Sequence, residues 1–150
     1  MLRKLFITTD TFAPTIARLT LGIVILPHGA QKLLGWFGGY GFSGTMSFMT
    51  ETMGIPTVFA FLAIVAEFFG GLGLITGTLT RLSAFGTGVT LAVAALMVHT
   101  QNGFFMNWFG NQAGEGYEYH ILFVGMALSL VLTGGGRFSI DRLVAEKIVK

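Results

Sequence analysis

The chain of 150 residues contains no cysteine. Disulfides, thiolate nucleophiles, cysteine-ligated zinc sites and iron–sulfur clusters are therefore excluded. Any redox chemistry must be carried out by a bound molecule, because no side chain of this protein cycles between thiol and disulfide.

Charged residues are also scarce. They make up 11% of the chain, whereas a soluble domain averages roughly 25%. Hydrophobic residues reach 53%, and the mean hydropathy is +0.73. This composition argues against an ordinary soluble domain and against a disordered chain. The nine lysines and arginines are scattered, with no basic stripe beside stacking aromatic residues, so nucleic acid is not an expected partner.

Long uncharged runs predict an all-α integral membrane protein, a four-helix bundle in a single domain over residues 1–150. A helix needs about 20 apolar residues to cross the hydrocarbon core of a bilayer. The runs predict four membrane spans, at about 15–36, 57–77, 82–100 and 118–135. The first span is the least regular, because Pro27, His28 and Lys32 interrupt its outer half.

Two shorter helices are expected outside these spans. Met46, Met49 and Met53 recur at helical spacing, which predicts a short outer interfacial helix within residues 44–53, although a covered loop fits this pattern equally well. The tail 139–150 predicts an amphipathic cytoplasmic helix. Ser139 is its expected N-cap, since a hydroxyl there accepts a backbone N–H.

The basic residues predict the orientation of the chain. Four spans would leave only Lys32 on one side and eight basic residues on the other: Arg3, Lys4, Arg18, Arg81, Arg137, Arg142, Lys147 and Lys150. Basic residues stay on the cytoplasmic side of a membrane. We therefore expect both termini in the cytoplasm and the loops 37–56 and 101–117 outside. An aromatic belt is expected at the outer boundary: Trp36, Tyr40, Trp108, Tyr117 and Tyr119.

Polar residues inside the predicted spans are the candidate site. Glu67 lies at the midpoint of span two, where a short carboxylate is costly. Either it is protonated, or it meets Lys32, Arg18, a histidine or a water-filled cavity. His28, Gln31 and Lys32 share one face of span one. They belong either to a site or to a helix end in interfacial water. Arg18 either reaches lipid phosphate from the inner end of that span or contributes to the same site.

More polar residues fall in the same outer layer. His99 continues a stripe of small residues on span three and should point into the bundle, while Glu118 and His120 open span four. Convergent polar groups in an apolar cavity are typical of a small-molecule site. We predict catalytic roles for Glu67, His28 and Lys32. The predicted ligand-binding residues are Arg18, Gln31, His99, Glu118 and His120.

The ligand of this site is less determined. Histidines and carboxylates can relay protons to a bound quinone, whose oxygens His or Lys would hydrogen-bond. His28 with His99 or His120 is an alternative ligand pair for haem iron or a transition metal. No H-x-x-x-H or E-x-x-H pair is present, which weakens the metal alternative and predicts no metal site.

Several short motifs, taken together, give the chain a family resemblance. They include Arg18-Leu19, His28-Gly29-x-Gln31-Lys32-Leu33, Pro56, Glu67-x-x-Gly70-Gly71, Gly77-x-x-Thr80-Arg81 and Gly134-Gly135-Gly136-x-x-Ser139-x-Asp141. In their order and spacing the chain resembles the DoxX family over roughly residues 12–145. The family often has Gly-Pro-Gly in the closing element, where this chain has Gly135. The resemblance implies a four-span bacterial inner-membrane protein linked with respiratory, oxidative-stress or quinone-linked redox chemistry.

Three functions follow from these expectations. The first is a redox-associated membrane subunit, in the enzymatic case part of a quinone-linked oxidoreductase, that binds a quinone or similar molecule in an outer-half cavity. The second is a non-enzymatic scaffold whose polar cluster only holds the bundle together. The third is a small transporter, which the polar-poor inner half weighs against. The expected partners are the lipid bilayer, a soluble or membrane-bound redox protein, and a second copy of the chain.

Overall fold

The computed structural model describes residues 3–148, which form seven α-helices and no strand. The helices are α1 (Arg3–Phe6), α2 (Ala13–Leu34), α3 (Gly41–Ser47), α4 (Thr57–Thr76), α5 (Thr80–Ala94), α6 (Glu118–Thr133) and α7 (Ile140–Ile148). Helix α3 continues into a π turn at Phe48–Thr52, and α5 continues through a π turn at Ala95–His99. The predicted all-α fold is confirmed. Val149 and Lys150, the last residues of the predicted C-terminal helix, lie outside the described residues.

The four long helices form the body of the molecule. Helix α2 packs against α4 and α6, and α5 packs against the same two helices. The interface of α2 and α4 is the most extensive because glycine lets the backbones meet: a Cβ on Gly29 would lie 2.5 Å from the Phe68 nitrogen. Such close approach through small residues is typical of helix packing in membranes. The core between the helices is apolar and includes Ile25, Leu74 and Phe123.

The outward faces of the long helices are also apolar. Ile16, Leu62, Leu96 and Leu132 are among the large hydrophobic side chains that point away from the protein. A soluble monomer rarely exposes a continuous surface of this kind. Two helices, Thr57–Thr76 and Thr80–Asn102, are long and apolar enough to cross a membrane, and Glu118–Thr133 is a shorter apolar helix.

Helix α2 differs from the expectation for span one. It continues without interruption through Pro27 and His28 and ends at Leu34. Gly35 then adopts a left-handed conformation with φ 74°, and its N–H bonds back to the Ala30 carbonyl. Pro27 lies on the exposed face of α2, where its ring does not end the helix. The polar residues of this segment therefore lie on an intact helix.

We call the end of the bundle that carries Arg18, Gly77 and Gly135 the inner end, and the end that carries Lys32 and His99 the outer end. Arg18 is 2% exposed at the inner end. Its guanidinium donates to backbone carbonyls of α4 and of the turn before α7: Leu74, Ile75, Gly135 and Phe138. The side chain does not reach lipid, so the anchoring alternative for Arg18 is wrong.

Asp141 completes the inner end from the other side. It is 1% exposed, and its carboxylate accepts the N–H groups of Leu79 and Thr80, each at 2.7 Å. These are orphan donors at the start of α5, where a negative charge also complements the helix dipole. Ser139 Oγ accepts the Arg142 N–H at 3.2 Å, which confirms Ser139 as the N-cap of α7.

An exposed ion-pair group joins the N-terminal segment to α7. Asp10 pairs with both Arg137 and Arg142. The hydrogen bond from Arg142 holds the pKa of the Asp10 carboxyl below its usual value. The same pairing raises the pKa of the Arg142 guanidinium. Because these side chains are solvent-exposed, we expect the group to contribute little to stability.

Asp141→Asn is expected to lower the stability of the protein by about 2 kcal/mol, because the start of α5 loses a charged, buried cap. Thermal unfolding in detergent should shift down by roughly 4–8 °C. Glu146→Gln is the matched control, since Glu146 is exposed and, among residues 3–148, pairs with Arg142 alone. Equal unfolding temperatures for the two variants would contradict the capping role.

The outer surface carries the short helix that the methionine spacing predicts. Helix α3 and its π turn cover residues 41–52, and Met46, Met49 and Met53 are half-buried along it. Trp36, Tyr40 and Trp108 are exposed at this end, as an interfacial belt requires. Tyr119 is different, because its hydroxyl oxygen is buried inside the bundle.

Candidate functional site

An ion pair between α2 and α4 lies at the centre of the candidate site. Lys32 Nζ is 2.5 Å from Glu67 Oε2. The Glu67 side chain is 6% exposed and that of Lys32 is 32% exposed. The crossing at Gly29 explains the geometry, because it brings the α2 backbone against Glu67 and Phe68, and Lys32 follows one helical turn later. Of the partners that the sequence leaves open for Glu67, the structure selects Lys32.

Helix α6 brings two further polar groups into the bundle. His120 is 6% exposed, and its Nδ1 has no hydrogen-bond partner among residues 3–148. The Tyr119 hydroxyl is likewise buried without a partner in this part of the chain. Helix α6 lies across the bundle from α4, the helix that carries Glu67. The rings of Tyr119 and His120 meet nearly edge to face, with centroids 5.4 Å apart and an interplanar angle of 80°.

Tyr119 is the residue that the sequence reasoning missed. An aromatic side chain at a span boundary is typical of the interfacial belt, and Tyr119 was assigned there. Its ring instead packs on Phe123, with centroids 6.1 Å apart. The sequence does offer one signal, which is the position of Tyr119 between Glu118 and His120. Three consecutive polar residues on a buried helix end cannot all face lipid or water, so at least one of them must face the bundle.

His99 joins the site through an irregularity in its own helix. The π turn Ala95–His99 widens the end of α5, and such turns often occur at functional sites. The His99 ring lies 4.1 Å from that of His120. Its Nδ1 is 2.9 Å from the Glu115 carbonyl oxygen. Because a carbonyl only accepts, His99 Nδ1 carries the hydrogen. His99 therefore faces the protein, as the small-residue stripe predicts.

Gln31 and Glu118 contact the outer loops. Gln31 Nε2 donates to the Phe37 carbonyl at 3.3 Å, and Glu118 Oε1 accepts the Met106 N–H at 2.9 Å. Both side chains thus hold loops over the outer end of the bundle. Their predicted roles in ligand binding stay predictions.

The structure does not bring His28 or Arg18 to Glu67. His28 is exposed on the surface of α2, and in the described part of the chain its side chain makes no hydrogen bond. Arg18 lies about 21 Å from Lys32 along the helix axis, at 1.5 Å per residue. The structure therefore leaves two polar groups as candidates: the Lys32–Glu67 pair, and the group formed by Tyr119, His120 and His99.

The histidines do not form a metal-binding group. Among the residues that the structure describes, no three His, Asp or Glu side chains come together in an arrangement able to hold a metal ion. His28 lies away from the stacked pair of His99 and His120. The alternative of haem or a transition metal bound through His28 has no support from this arrangement.

Comparisons with known proteins agree with this fold. The family model described as DoxX matches residues 13–100. The chain is 34% identical over 133 residues to "Inner membrane protein YqjF" of Escherichia coli (strain K12), covering 88% of this chain and 92% of that one. It is 26% identical over 129 residues to "Putative oxidoreductase CatD" of Bacillus subtilis (strain 168), covering 86% of this chain and 84% of that one. No solved structure matches the chain. With more than half of its length matched by the family model, the chain belongs to the DoxX family.

Proposed function

We propose that this protein is a redox-associated subunit of a bacterial inner membrane that binds a quinone or a similar small molecule between the outer halves of its helices. The observation that carries the proposal is the ion pair of Lys32 with the buried Glu67. Removing the Glu67 carboxylate from water costs several kcal/mol, and a hydrophobic pair would hold the helices at least as well. A site that binds or protonates a ligand would explain why charged residues occupy these two positions.

The membrane location and topology are part of the proposal. Helices α2, α4, α5 and α6 coincide closely with the four predicted spans, and their outward faces are apolar. The similar protein from Escherichia coli carries the name of an inner membrane protein. The bias of lysine and arginine toward the inner end orients both termini to the cytoplasm.

Reporter fusions test this topology. A fusion after Lys150 should report the cytoplasm, and a fusion at Gly114 in the loop before α6 should report the opposite compartment. An alkaline phosphatase reporter, active only outside the cytoplasm, gives a direct reading. The same compartment for both positions would reject the four-span arrangement.

The site residues divide into chemical roles. The Lys32 ammonium can donate a hydrogen bond to a quinone oxygen, while Glu67 can accept a proton from, or return one to, the bound molecule. His99 contacts the outer loop at the Glu115 carbonyl, and its ring lies 4.1 Å from that of His120. The similar Bacillus subtilis protein has a name that describes an oxidoreductase, which favours redox chemistry for this chain and a redox protein as its partner.

A scaffold without ligand is the second candidate. It is favoured by the fact that Lys32 and Glu67 already satisfy each other. A structural pair of this kind fixes the register of α2 on α4 and needs no further contact. The two candidates differ in what they require of Tyr119 and His120, whose buried polar atoms serve no purpose in a scaffold.

Purification in mild detergent distinguishes the two candidates. The proposal expects a lipid-soluble quinone to co-purify in near-stoichiometric amount, detected by the optical spectrum and by mass spectrometry of the extract. The same preparation of Glu67→Gln should carry at least about 10-fold less, which corresponds to about 1.4 kcal/mol of binding. Equal quinone content in the two preparations would reject the role of Glu67 in binding, and no quinone in either would leave the scaffold as the function.

A further inference from the structure

Two buried polar atoms on α6 have no hydrogen-bond partner among the described residues, and they define which hydrogen-bonding groups the ligand must carry. The Tyr119 hydroxyl and His120 Nδ1 are buried and lack partners among the described residues. A buried polar atom without a hydrogen bond costs about 1–3 kcal/mol. The two atoms lie on consecutive residues at the outer end of α6, which packs on α2 and α5 and lies across the bundle from α4. They form a second polar position, across the bundle from the Lys32–Glu67 pair.

The charges around this position argue for an uncharged ligand. Lys32 is the only lysine or arginine expected at the outer end, and Glu67 already neutralises it. An anionic ligand would have to compete with Glu67 for Lys32. A cationic ligand would lie against the Lys32 ammonium. Either would leave an unpaired charge in an apolar bundle, which costs several kcal/mol.

We infer that the ligand has an uncharged head with polar atoms at two ends, one bonded to the Lys32–Glu67 pair and the other to Tyr119 and His120. This inference rests on the proposed function and specifies its ligand. The Tyr119 hydroxyl donates to an acceptor oxygen, and His120 Nδ1 donates or accepts according to its tautomer. A flat ring with oxygens at both ends, such as a quinone, meets these requirements. Neutral molecules with one polar end do not.

The test uses two probes with the same ring and different charge. Menadione is uncharged, and naphthoquinone sulfonate carries a permanent negative charge. Binding to the purified full-length protein in mild detergent is measured by isothermal titration calorimetry, with an empty-micelle blank. We expect menadione to bind at least about 10-fold more tightly, the equivalent of about 1.4 kcal/mol. Equal or tighter binding of the sulfonate would overturn the inference and leave the proposed function standing. Failure of both probes to bind would overturn both.

Tyr119→Phe tests the second polar position directly. The phenyl ring keeps the packing on Phe123, and only the orphan hydroxyl is lost. Menadione should bind about 3- to 10-fold more weakly, the range for one hydrogen bond. The unfolding temperature without ligand should stay the same or rise, because no partner is lost. Tyr40→Phe, at a residue 79% exposed, is the matched control. Unchanged binding by Tyr119→Phe, or a loss shared with Tyr40→Phe, would contradict the role of Tyr119.

Discussion

Glu67→Gln is expected to abolish most ligand binding while leaving the protein folded in the membrane. The amide keeps the shape of the side chain and still offers an oxygen to Lys32, but it neither neutralises the ammonium nor exchanges a proton. Breaking a fully buried ion pair costs about 3–5 kcal/mol. Here we expect about 1–2 kcal/mol, since Lys32 is 32% exposed and can turn toward the outer water. Thermal unfolding and quinone binding should be measured on the same preparation.

A double variant separates the ion pair's role in binding from its role in packing. Lys32→Met combined with Glu67→Leu replaces the pair with apolar side chains of similar size, which is often neutral or stabilising. We expect it to recover the stability lost in Glu67→Gln but not the binding. If Glu67→Gln bound quinone as well as the unchanged protein does, the proton-transfer role of Glu67 would be wrong. If the double variant bound quinone normally, the ion pair would have no part in the site.

Arg18→Met is expected to be the most destabilising substitution in the chain. The methionine fills part of the volume but leaves four backbone carbonyls at the inner end without their charged donor. Hydrogen bonds to charged groups contribute about 1.5–3 kcal/mol each, and their losses are not additive. We expect a total loss of about 4 kcal/mol, seen as a large fall in the unfolding temperature and in the yield of folded protein from membranes.

The control for Arg18→Met is Arg137→Met. Arg137 also lies at the inner end, but its side chain is about half exposed and pairs with Asp10 on the surface. Its loss should change the unfolding temperature little, because exposed ion pairs contribute about 0–1 kcal/mol. Similar effects of the two variants would show that the inner end is held by general charge rather than by the carbonyl contacts of Arg18.

The positions of the long helices could be predicted because a helix buried in lipid requires a long apolar run, which is visible in the sequence itself. A helix that crosses a membrane needs a long uncharged run, whatever it packs against. Helix α4 lies within one residue of its predicted span, and α6 begins at the predicted Glu118. The exception was the regularity of α2, which continues through Pro27 to Leu34.

The candidate site could be predicted only in part. Glu67 stood out because a carboxylate in the middle of an apolar run needs a partner, and Lys32 was among the partners considered. Helical spacing also placed His28 beside Lys32, but spacing describes faces of one helix and not the direction of its neighbour. The crossing of α2 over α4 directs Lys32 inward and leaves His28 exposed. The rotation of α6 about its axis is likewise not determined by the sequence, so the burial of the Tyr119 hydroxyl could not be predicted.

By itself, the sequence determined the helical fold, the limits of the long helices, the absence of thiol chemistry and the selection of Glu67 as a candidate site residue. These properties follow from composition and from the cost of burying charge, which act on each residue separately. Only the tertiary structure decided that Arg18 bonds carbonyls of α4 and of the turn before α7, and that Asp141 caps α5 from 61 residues away. It also decided that Lys32 is the partner of Glu67. The physical reason is that such contacts depend on the rotation and crossing of helices, which glycines such as Gly29 permit but do not specify.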